Sequence, residues 1–147
     1  MSAQLWALAV AGAVVLAAAC LETFRSRRAR RLVLGTGPIP AFGGTSPQAG
    51  KSNLPYILYF TGDSCTVCRT HQEPALARLG DVRVDKVDAI AERTLADRFH
   101  VYTLPTTVVM AADGRALHVN YGYAPAPKLE RQLADARVTA LRSAATA

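Results

Sequence analysis

The chain has 147 residues, of which 50% are hydrophobic and 19% charged, so it is long enough for one ordinary domain with a short appendage and too apolar for a wholly disordered protein. Five of its 17 basic residues lie within residues 1–31, and the other 116 residues carry 12 basic against 10 acidic side chains. The basic charge is therefore a local cluster rather than a stripe that could follow a phosphate backbone, and we predict no nucleic-acid partner.

The first element predicted along the chain is a membrane-spanning helix. No charged side chain precedes Glu22, and Leu5–Leu21 is a mostly apolar run of 17 residues. A spanning helix needs roughly 20 such residues, with about 17 as the lower limit. A buried core helix is less favoured because the run has no polar face. The sequence thus predicts a transmembrane helix over residues 1–22, followed by a basic juxtamembrane segment and a Gly/Pro/Ser-rich linker over residues 23–53.

The sidedness of this helix has two interpretations. Five arginines follow the apolar run and none precedes it: Arg25, Arg27, Arg28, Arg30 and Arg31. The positive-inside rule then predicts a domain that faces the cytoplasm, with arginines that attract anionic headgroups. The alternative rests on Ala17-Ala18-Ala19-Cys20, which resembles a bacterial lipoprotein cleavage site with Leu16 one position too early, and it would place the domain outside the cytoplasm.

Residues 54–142 carry alternating strand and helix patterns, and residues 143–147 form a short tail. The predicted elements are strand Leu54–Phe60, helix Cys65–Leu79, strand Val82–Val87, helix Ala89–Phe99, strands Thr106–Met110 and Ala116–Tyr121, and helix Pro127–Leu141. Asp113-Gly114 is typical of a turn between antiparallel strands. This order predicts an α/β fold with about four strands in a mixed sheet and helices on both faces.

The motif that carries chemistry is Cys65-Thr66-Val67-Cys68, placed between a buried strand and the first turn of a helix. At that position the helix dipole and free backbone N–H groups favour a thiolate and lower the pKa of Cys65 below the ordinary value of about 8.5. The second cysteine lies three residues on, on the same helical face, so it can form an intramolecular disulfide and displace a substrate. We therefore predict Cys65 as the nucleophile and Cys68 as the resolving thiol.

Metal and haem sites fit this motif less well. A structural zinc site needs four ligands. The chain has no second CxxC motif, and the spacing of its three histidines does not supply the two ligands that Cys65 and Cys68 would need. Covalent haem attachment needs a histidine directly after the second cysteine, where Arg69 stands. His71 is interpreted as a solvated surface residue and Asp63 as a helix cap or turn residue. We predict neither a metal nor another cofactor.

A proline lies forty residues after the first cysteine, in the stretch Val101-Tyr102-Thr103-Leu104-Pro105-Thr106. Together with the CxxC motif, "RFHVYTLPT" resembles the "YGIxxxPT" pattern of the thioredoxin family, and the resemblance extends from Leu54 to about Leu141. It implies a thioredoxin-like fold with a cis Leu104–Pro105 bond packed against the cysteine pair. It also implies that Leu104, Pro105 and Thr106 bind an extended substrate, paired through the backbone of Leu104.

The sequence departs from the family at positions that matter for chemistry. Ser64 replaces the usual tryptophan, and Thr66-Val67 replaces Gly-Pro. Tyr59 stands where many members carry a buried aspartate, and Lys86 falls at the position of that aspartate's lysine partner. A tyrosine with a pKa near 10 is a poor base at neutral pH, so water or a substrate group is expected to handle the proton.

The predicted function is that of a membrane-tethered thiol–disulfide oxidoreductase that works as a reductant. Its partners would be the membrane, a disulfide-containing protein, and a reductase or low-molecular-weight thiol that restores the cysteine pair. One alternative is a non-catalytic thioredoxin-like binding module, which the missing tryptophan, Gly-Pro and aspartate suggest. A second alternative is an exported disulfide reductase or isomerase anchored as a lipoprotein.

Overall fold

The computed structural model describes residues 2–35, 37 and 54–145, so most of the predicted linker lies outside the described residues. In chain order the elements are α1 (Ser2–Leu34), β1 (Tyr56–Thr61), a π-helical turn (Cys68–Gln72) that continues as α2 (Glu73–Ala77), β2 (Val84–Asp88), α3 (Arg93–Arg98), β3 (Thr106–Met110), β4 (Ala116–Tyr121) and α4 (Ala126–Ala145). The strands fall within about two residues of their predicted bounds, whereas the helices differ more.

The strands form one mixed sheet in the order β2-β1-β3-β4. β1 runs parallel to β2 and antiparallel to β3, and β3 runs antiparallel to β4. The parallel strands β1 and β2 need a crossover connection, whereas the antiparallel strands β3 and β4 are joined by a turn. The order of the elements predicted both connections. The α/β fold with a four-stranded mixed sheet and flanking helices is therefore confirmed.

The alternation of side chains along the strands creates a packed core on each face of the sheet. On one face Leu58, Phe60 and Val108 pack with Phe99, and the rings of Phe60 and Phe99 lie 5.5 Å apart. On the other face the buried residues come from β1, β3, the CxxC helix, α4 and the segment before α4: Ile57, Tyr59, Cys68, Leu76, Val109, Ala124, Leu129, Leu133 and Ala136. The cysteine-bearing helix is thus fixed against the sheet by the second core.

The helix predicted from Ala89 begins later than expected. The carboxylate of Asp88 accepts hydrogen bonds from the backbone N–H groups of Ile90 and Ala91, at 2.7 and 3.0 Å. These bonds cap a separate turn over residues 89–92, and Glu92, with a φ of −100° and a ψ of 51°, divides this turn from α3, which starts at Arg93. Ile90 lies in this turn and is 73% exposed, although it is one of the apolar residues of the predicted helix.

Helix α1 is long and apolar enough to cross a membrane, and the apolar window within it is not buried against the domain. The helix extends beyond the predicted span and includes the arginine cluster. Its second part, residues 22–34, which we call the basic half of α1, packs along β4. Val33 is 1% exposed there and belongs to the same core cluster as Phe60 and Phe99.

Candidate active site

The two cysteines of the CxxC motif lie just beyond the end of β1 and form a disulfide, with an S–S distance of 2.01 Å. The backbone N–H of Cys65 donates to the carbonyl of Gly62 at 3.0 Å, which closes the turn between β1 and the helix. Cys65 is partly exposed, whereas Cys68 is fully buried. An external disulfide can therefore reach the sulfur of Cys65 but not that of Cys68.

A backbone donor faces the accessible sulfur. The N–H of Cys68 donates to Sγ of Cys65 at 3.2 Å. Free N–H groups at the start of a helix carry partial positive charge and stabilise a thiolate when the cysteine is reduced. The predicted placement of Cys65 at the electropositive start of the helix agrees with this contact.

The loop before β3 lies beside the cysteine pair, and its Leu104–Pro105 peptide bond is cis. Leu104 lines a cleft of about 510 Å³ together with Cys65, Ile90 and Tyr102. Its Cδ1 atom would lie 3.2 Å from a Cβ placed on Gly62, so the side chain of Leu104 packs closely over the turn before Cys65. Leu104 therefore lies in the wall of the cleft that also contains Cys65.

The other two residues predicted to bind substrate, Pro105 and Thr106, are buried and do not line this cleft. The hydroxyl of Thr106 donates to the carbonyl of Thr103 at 2.8 Å, and the carbonyl of Pro105 accepts from the N–H of Gly122 at 2.8 Å. Both residues thus shape the loop that presents Leu104.

Tyr59 occupies the buried position that the family resemblance assigned to an aspartate. It is 1% exposed, and its hydroxyl donates to Oγ1 of Thr61 at 3.3 Å. Burial raises the pKa of Tyr59 above 10.0, although the hydrogen bond to Thr61 and nearby Lys86 oppose the rise. The phenol is thus neutral at physiological pH.

Lys86 forms an ion pair with a carboxylate that lies outside β1, the strand that carries the family's aspartate position. Its Nζ donates to Oε1 of Glu73 at 2.7 Å, and Glu73 belongs to α2 rather than to β1. The pair lies on the same side of the sheet as Tyr59, whose Cα is the partner of Lys86 across β1 and β2. Sequence reasoning missed Glu73, because residues that are 13 positions apart in different elements give no local signal.

The helix that carries the cysteines contains a π-helical turn, which no apolar spacing in the sequence indicated. Pro74 follows this turn, and a proline inside a helix lacks an N–H and its ring clashes with the carbonyl four residues earlier, here Thr70. The N–H of Glu73 instead reaches back five residues to the carbonyl of Cys68, which widens the turn. The proline therefore gives a local reason for a π turn that begins at Cys68.

Gln72 points into the core at the end of the π turn and is fully buried. Its Nε2 donates to the carbonyl of Ala124 at 3.0 Å, and its Oε1 accepts from the N–H of Ala124 at 2.9 Å. This pair of hydrogen bonds joins the cysteine-bearing helix to the segment after β4. No sequence pattern indicated Gln72, because a lone glutamine in a predicted helix is typical of a solvated surface.

The remaining polar candidates lie on the surface. His71 is exposed and its Nδ1 lies 2.7 Å from Oγ1 of Thr70, in agreement with the interpretation as a solvated residue. Asp63 is also exposed, and its backbone carbonyl accepts a hydrogen bond from the Arg69 side chain at 2.7 Å. Among the described residues no group of three or more His, Cys, Asp and Glu is placed to hold a metal ion.

The comparisons with known proteins agree with this arrangement. Residues 46–137, more than half of the chain, match the model of the thioredoxin-like domain family. The chain belongs to the thioredoxin family. Its fold is similar to that of a mutant thioredoxin from Halobacterium salinarum, with 27% identity, a TM-score of 0.51, and coverage of 56% of this chain and 74% of that one.

Two further thioredoxins share the fold at lower identity. One is thioredoxin-2 of the malaria parasite, with 22% identity, a TM-score of 0.53, and coverage of 59% of this chain and 87% of the other. The second is Fasciola hepatica thioredoxin, with 24% identity, a TM-score of 0.50, and coverage of 57% and 82%. This protein therefore carries a thioredoxin-like domain in which a CxxC pair lies at disulfide distance, an arrangement that supports thiol–disulfide oxidoreductase activity.

Proposed function

We propose that this thioredoxin-like protein is a membrane-tethered thiol–disulfide oxidoreductase that works as a reductant. The observation that carries the proposal is the asymmetry of the cysteine pair, since Cys65 is accessible beside Leu104 and Cys68 is buried behind it. An accessible thiolate attacks a substrate disulfide, and a buried neighbour resolves the mixed disulfide without competing for substrate. Leu104, Pro105 and Thr106 would form the substrate-binding loop.

The reaction proceeds in two exchanges. The thiolate of Cys65 attacks one sulfur of the substrate disulfide, which forms a mixed disulfide and releases the other substrate sulfur as a thiolate. Cys68, as a thiolate, then attacks Sγ of Cys65 and releases the second substrate thiolate. Two electrons pass to the substrate, whose two thiolates take up two protons, and the Cys65–Cys68 disulfide remains. A reductase or low-molecular-weight thiol restores the dithiol.

Membrane tethering and sidedness are supported by α1. The helix is long and apolar enough to span a bilayer, and its arginines follow the apolar part. The positive-inside rule keeps such a flank in the cytoplasm, so the domain would face the cytoplasm. The lipoprotein interpretation needs cleavage before Cys20, which would separate the apolar part of α1 from the basic half.

The activity is tested with the full chain in detergent or lipid, by following reduction of a soluble disulfide peptide by a dithiol donor. Cys65→Ser should lower the rate by about a thousandfold or more, because the nucleophile is lost. Cys68→Ser should accumulate the mixed disulfide with the peptide, visible by mass spectrometry. Cys20→Ser is the matched control, and it should reduce the peptide at the wild-type rate.

An unchanged rate in the Cys65→Ser variant would remove the enzymatic proposal and favour a binding module. Sidedness is tested separately in a Cys20→Ala background, by treating intact cells with an impermeant thiol reagent after mild reduction. Cys65 should stay unlabelled in intact cells and become labelled after lysis. Labelling in intact cells would place the domain outside the cytoplasm.

A further inference from the structure

Three segments around the cysteine pair leave the sheet at the same edge. Phe60, Thr106 and Tyr121 are neighbours across β1, β3 and β4, so the ends of these strands lie side by side. Beyond them follow residues 61–65, 102–105 and 122. We call this the active-site edge.

The basic half of α1 contacts this edge at its membrane-near end. Glu22 and Thr23 line a cavity of about 470 Å³ together with Thr103 and Gly122 of the active-site edge. The guanidinium carbon of Arg25 lies 5.7 Å from the centre of the Tyr102 ring. Since Tyr102 also lines the cleft with Cys65, the helix and the cleft share a wall.

Residues later in α1 also contact the domain, so the whole basic half of α1 lies along it. Tyr121 is half-buried at the end of β4, and burial raises its pKa to about 12, with Arg30 close enough to oppose the rise. Val33 then enters the core. The domain is therefore held along the basic half of α1 at several points, from Glu22 to Val33, and cannot turn freely about the end of the apolar run.

The position of the edge relative to a bilayer follows from helix geometry. If the hydrocarbon ends at Leu21, a rise of 1.5 Å per residue places the contacts of Thr23 to Arg30 between about 3 and 14 Å from that boundary. A free domain on a long linker would sample much larger distances. The contacts on α1 instead keep the cleft beside the membrane surface.

From this geometry we propose, resting on the proposed function, that the cleft faces the bilayer and that its substrates are disulfides in membrane-protein segments within about 15 Å of the hydrocarbon boundary. The exchange is the one described above: Cys65 forms the mixed disulfide with a surface-lying cysteine, and Cys68 releases it. A disulfide held far from the membrane would reach the cleft poorly, because the opening of the cleft faces the bilayer.

The test uses the full chain carrying Cys20→Ala in lipid nanodiscs with single-spanning probe peptides. Each probe carries a small disulfide loop on a helical EAAAK spacer, at about 8, 15 or 40 Å from the hydrocarbon boundary. We expect the two nearer probes to be reduced about tenfold faster than the distant one. Only their disulfides lie at the height of the cleft, so their effective concentration at Cys65 is higher. A soluble disulfide peptide measures the basal activity.

Two insertions sharpen the test. Seven helix-forming residues inserted between Leu21 and Glu22 add about two turns and lift the cleft by about 10 Å, almost without rotation. The fastest probe should then be one placed about 10 Å farther out. The same seven residues inserted between Gly43 and Gly44 form the matched control and should leave the distance preference unchanged, because α1 rather than the linker sets the height.

The outcomes separate this inference from the proposed function. Equal rates for all three probes, with normal reduction of the soluble peptide, would overturn the placement of the cleft and leave the oxidoreductase proposal intact. A preference that moves with the linker insertion would also overturn it. Failure to reduce any probe or the soluble peptide would instead overturn the proposed function.

Discussion

Gln72 and Ala124, 52 residues apart, are joined by two hydrogen bonds between the glutamine side chain and both backbone polar groups of Ala124. The amide of Gln72 thus satisfies a buried backbone N–H and a buried carbonyl in the segment after β4. Gly122 in the same segment binds the carbonyl of Pro105. The segment from Gly122 to Ala124 therefore connects the cysteine-bearing helix with the cis-proline loop through hydrogen bonds at its two ends.

The first prediction concerns this connection. Gln72→Leu keeps much of the side-chain volume but leaves both polar groups of Ala124 unpaired, so we expect a loss of about 2–4 kcal/mol in the free energy of unfolding. Urea denaturation of the full chain in detergent, followed by circular dichroism, measures it. Thr70→Val on the same turn removes an exposed hydroxyl and should cost less than about 0.5 kcal/mol. Equal losses would show that the amide contributes nothing specific.

A second prediction concerns proton transfer near the cysteines. Because the buried Tyr59 is a neutral phenol at physiological pH, it cannot act as the base that the family's aspartate supplies. Tyr59→Phe should therefore retain the rate of disulfide reduction within about twofold from about pH 6 to about pH 9. It should lose about 1 kcal/mol of stability with the hydrogen bond to Thr61. A pH–rate profile that shifts by a full pH unit would assign the phenol a part in catalysis.

The third prediction concerns the Glu73–Lys86 pair. Both side chains are more than a third exposed, at 37% and 59%, so solvent screens their attraction. Glu73→Gln should lower stability by less than about 1 kcal/mol, and the difference from the wild type should shrink in high salt. Thermal unfolding at low and high salt measures this. A loss that did not depend on salt would indicate that packing, rather than charge, holds the pair.

A fourth prediction follows from His118 on β4. Burial lowers the pKa of His118 below 6.5, and Asp135 only partly opposes this. The unfolded chain therefore takes up a proton before the folded protein does, and this residue's contribution to stability falls as the pH drops below 6.5.

His118→Asn removes the imidazole and with it this pH-dependent contribution to the free energy of unfolding. The unfolding temperature of the wild type should fall more steeply than that of the variant between about pH 7.5 and about pH 5.5. Parallel slopes for the two proteins would contradict the burial effect on the imidazole.

The sequence predicted those features whose cause is local. The buried run before Cys65 reads directly as a central strand, and Leu104-Pro105-Thr106 in this order with the CxxC motif indicated the cis bond through the family resemblance. Asp113-Gly114 placed the β3–β4 turn correctly. Each of these patterns depends on residues that are close in the chain.

The features that were missed depend on distant partners. The inward position of Gln72 depends on Ala124 and on the π turn that precedes Pro74. The late start of α3 is a local exception, because Asp88 caps a separate turn over residues 89–92 that apolar spacing does not indicate. The pairing of Lys86 with Glu73 required knowing which helix lies over β2.

The burial of Val33 has a consequence for how the protein can be handled. Because this residue belongs to the same buried cluster as Phe60 and Phe99, a soluble fragment beginning at Leu54 would lack one of the side chains that complete this cluster. Such a fragment should be less stable and more prone to aggregate than the intact chain. The second part of α1 and the thioredoxin-like domain thus share one core, and removal of that helix segment would lower the stability of the domain.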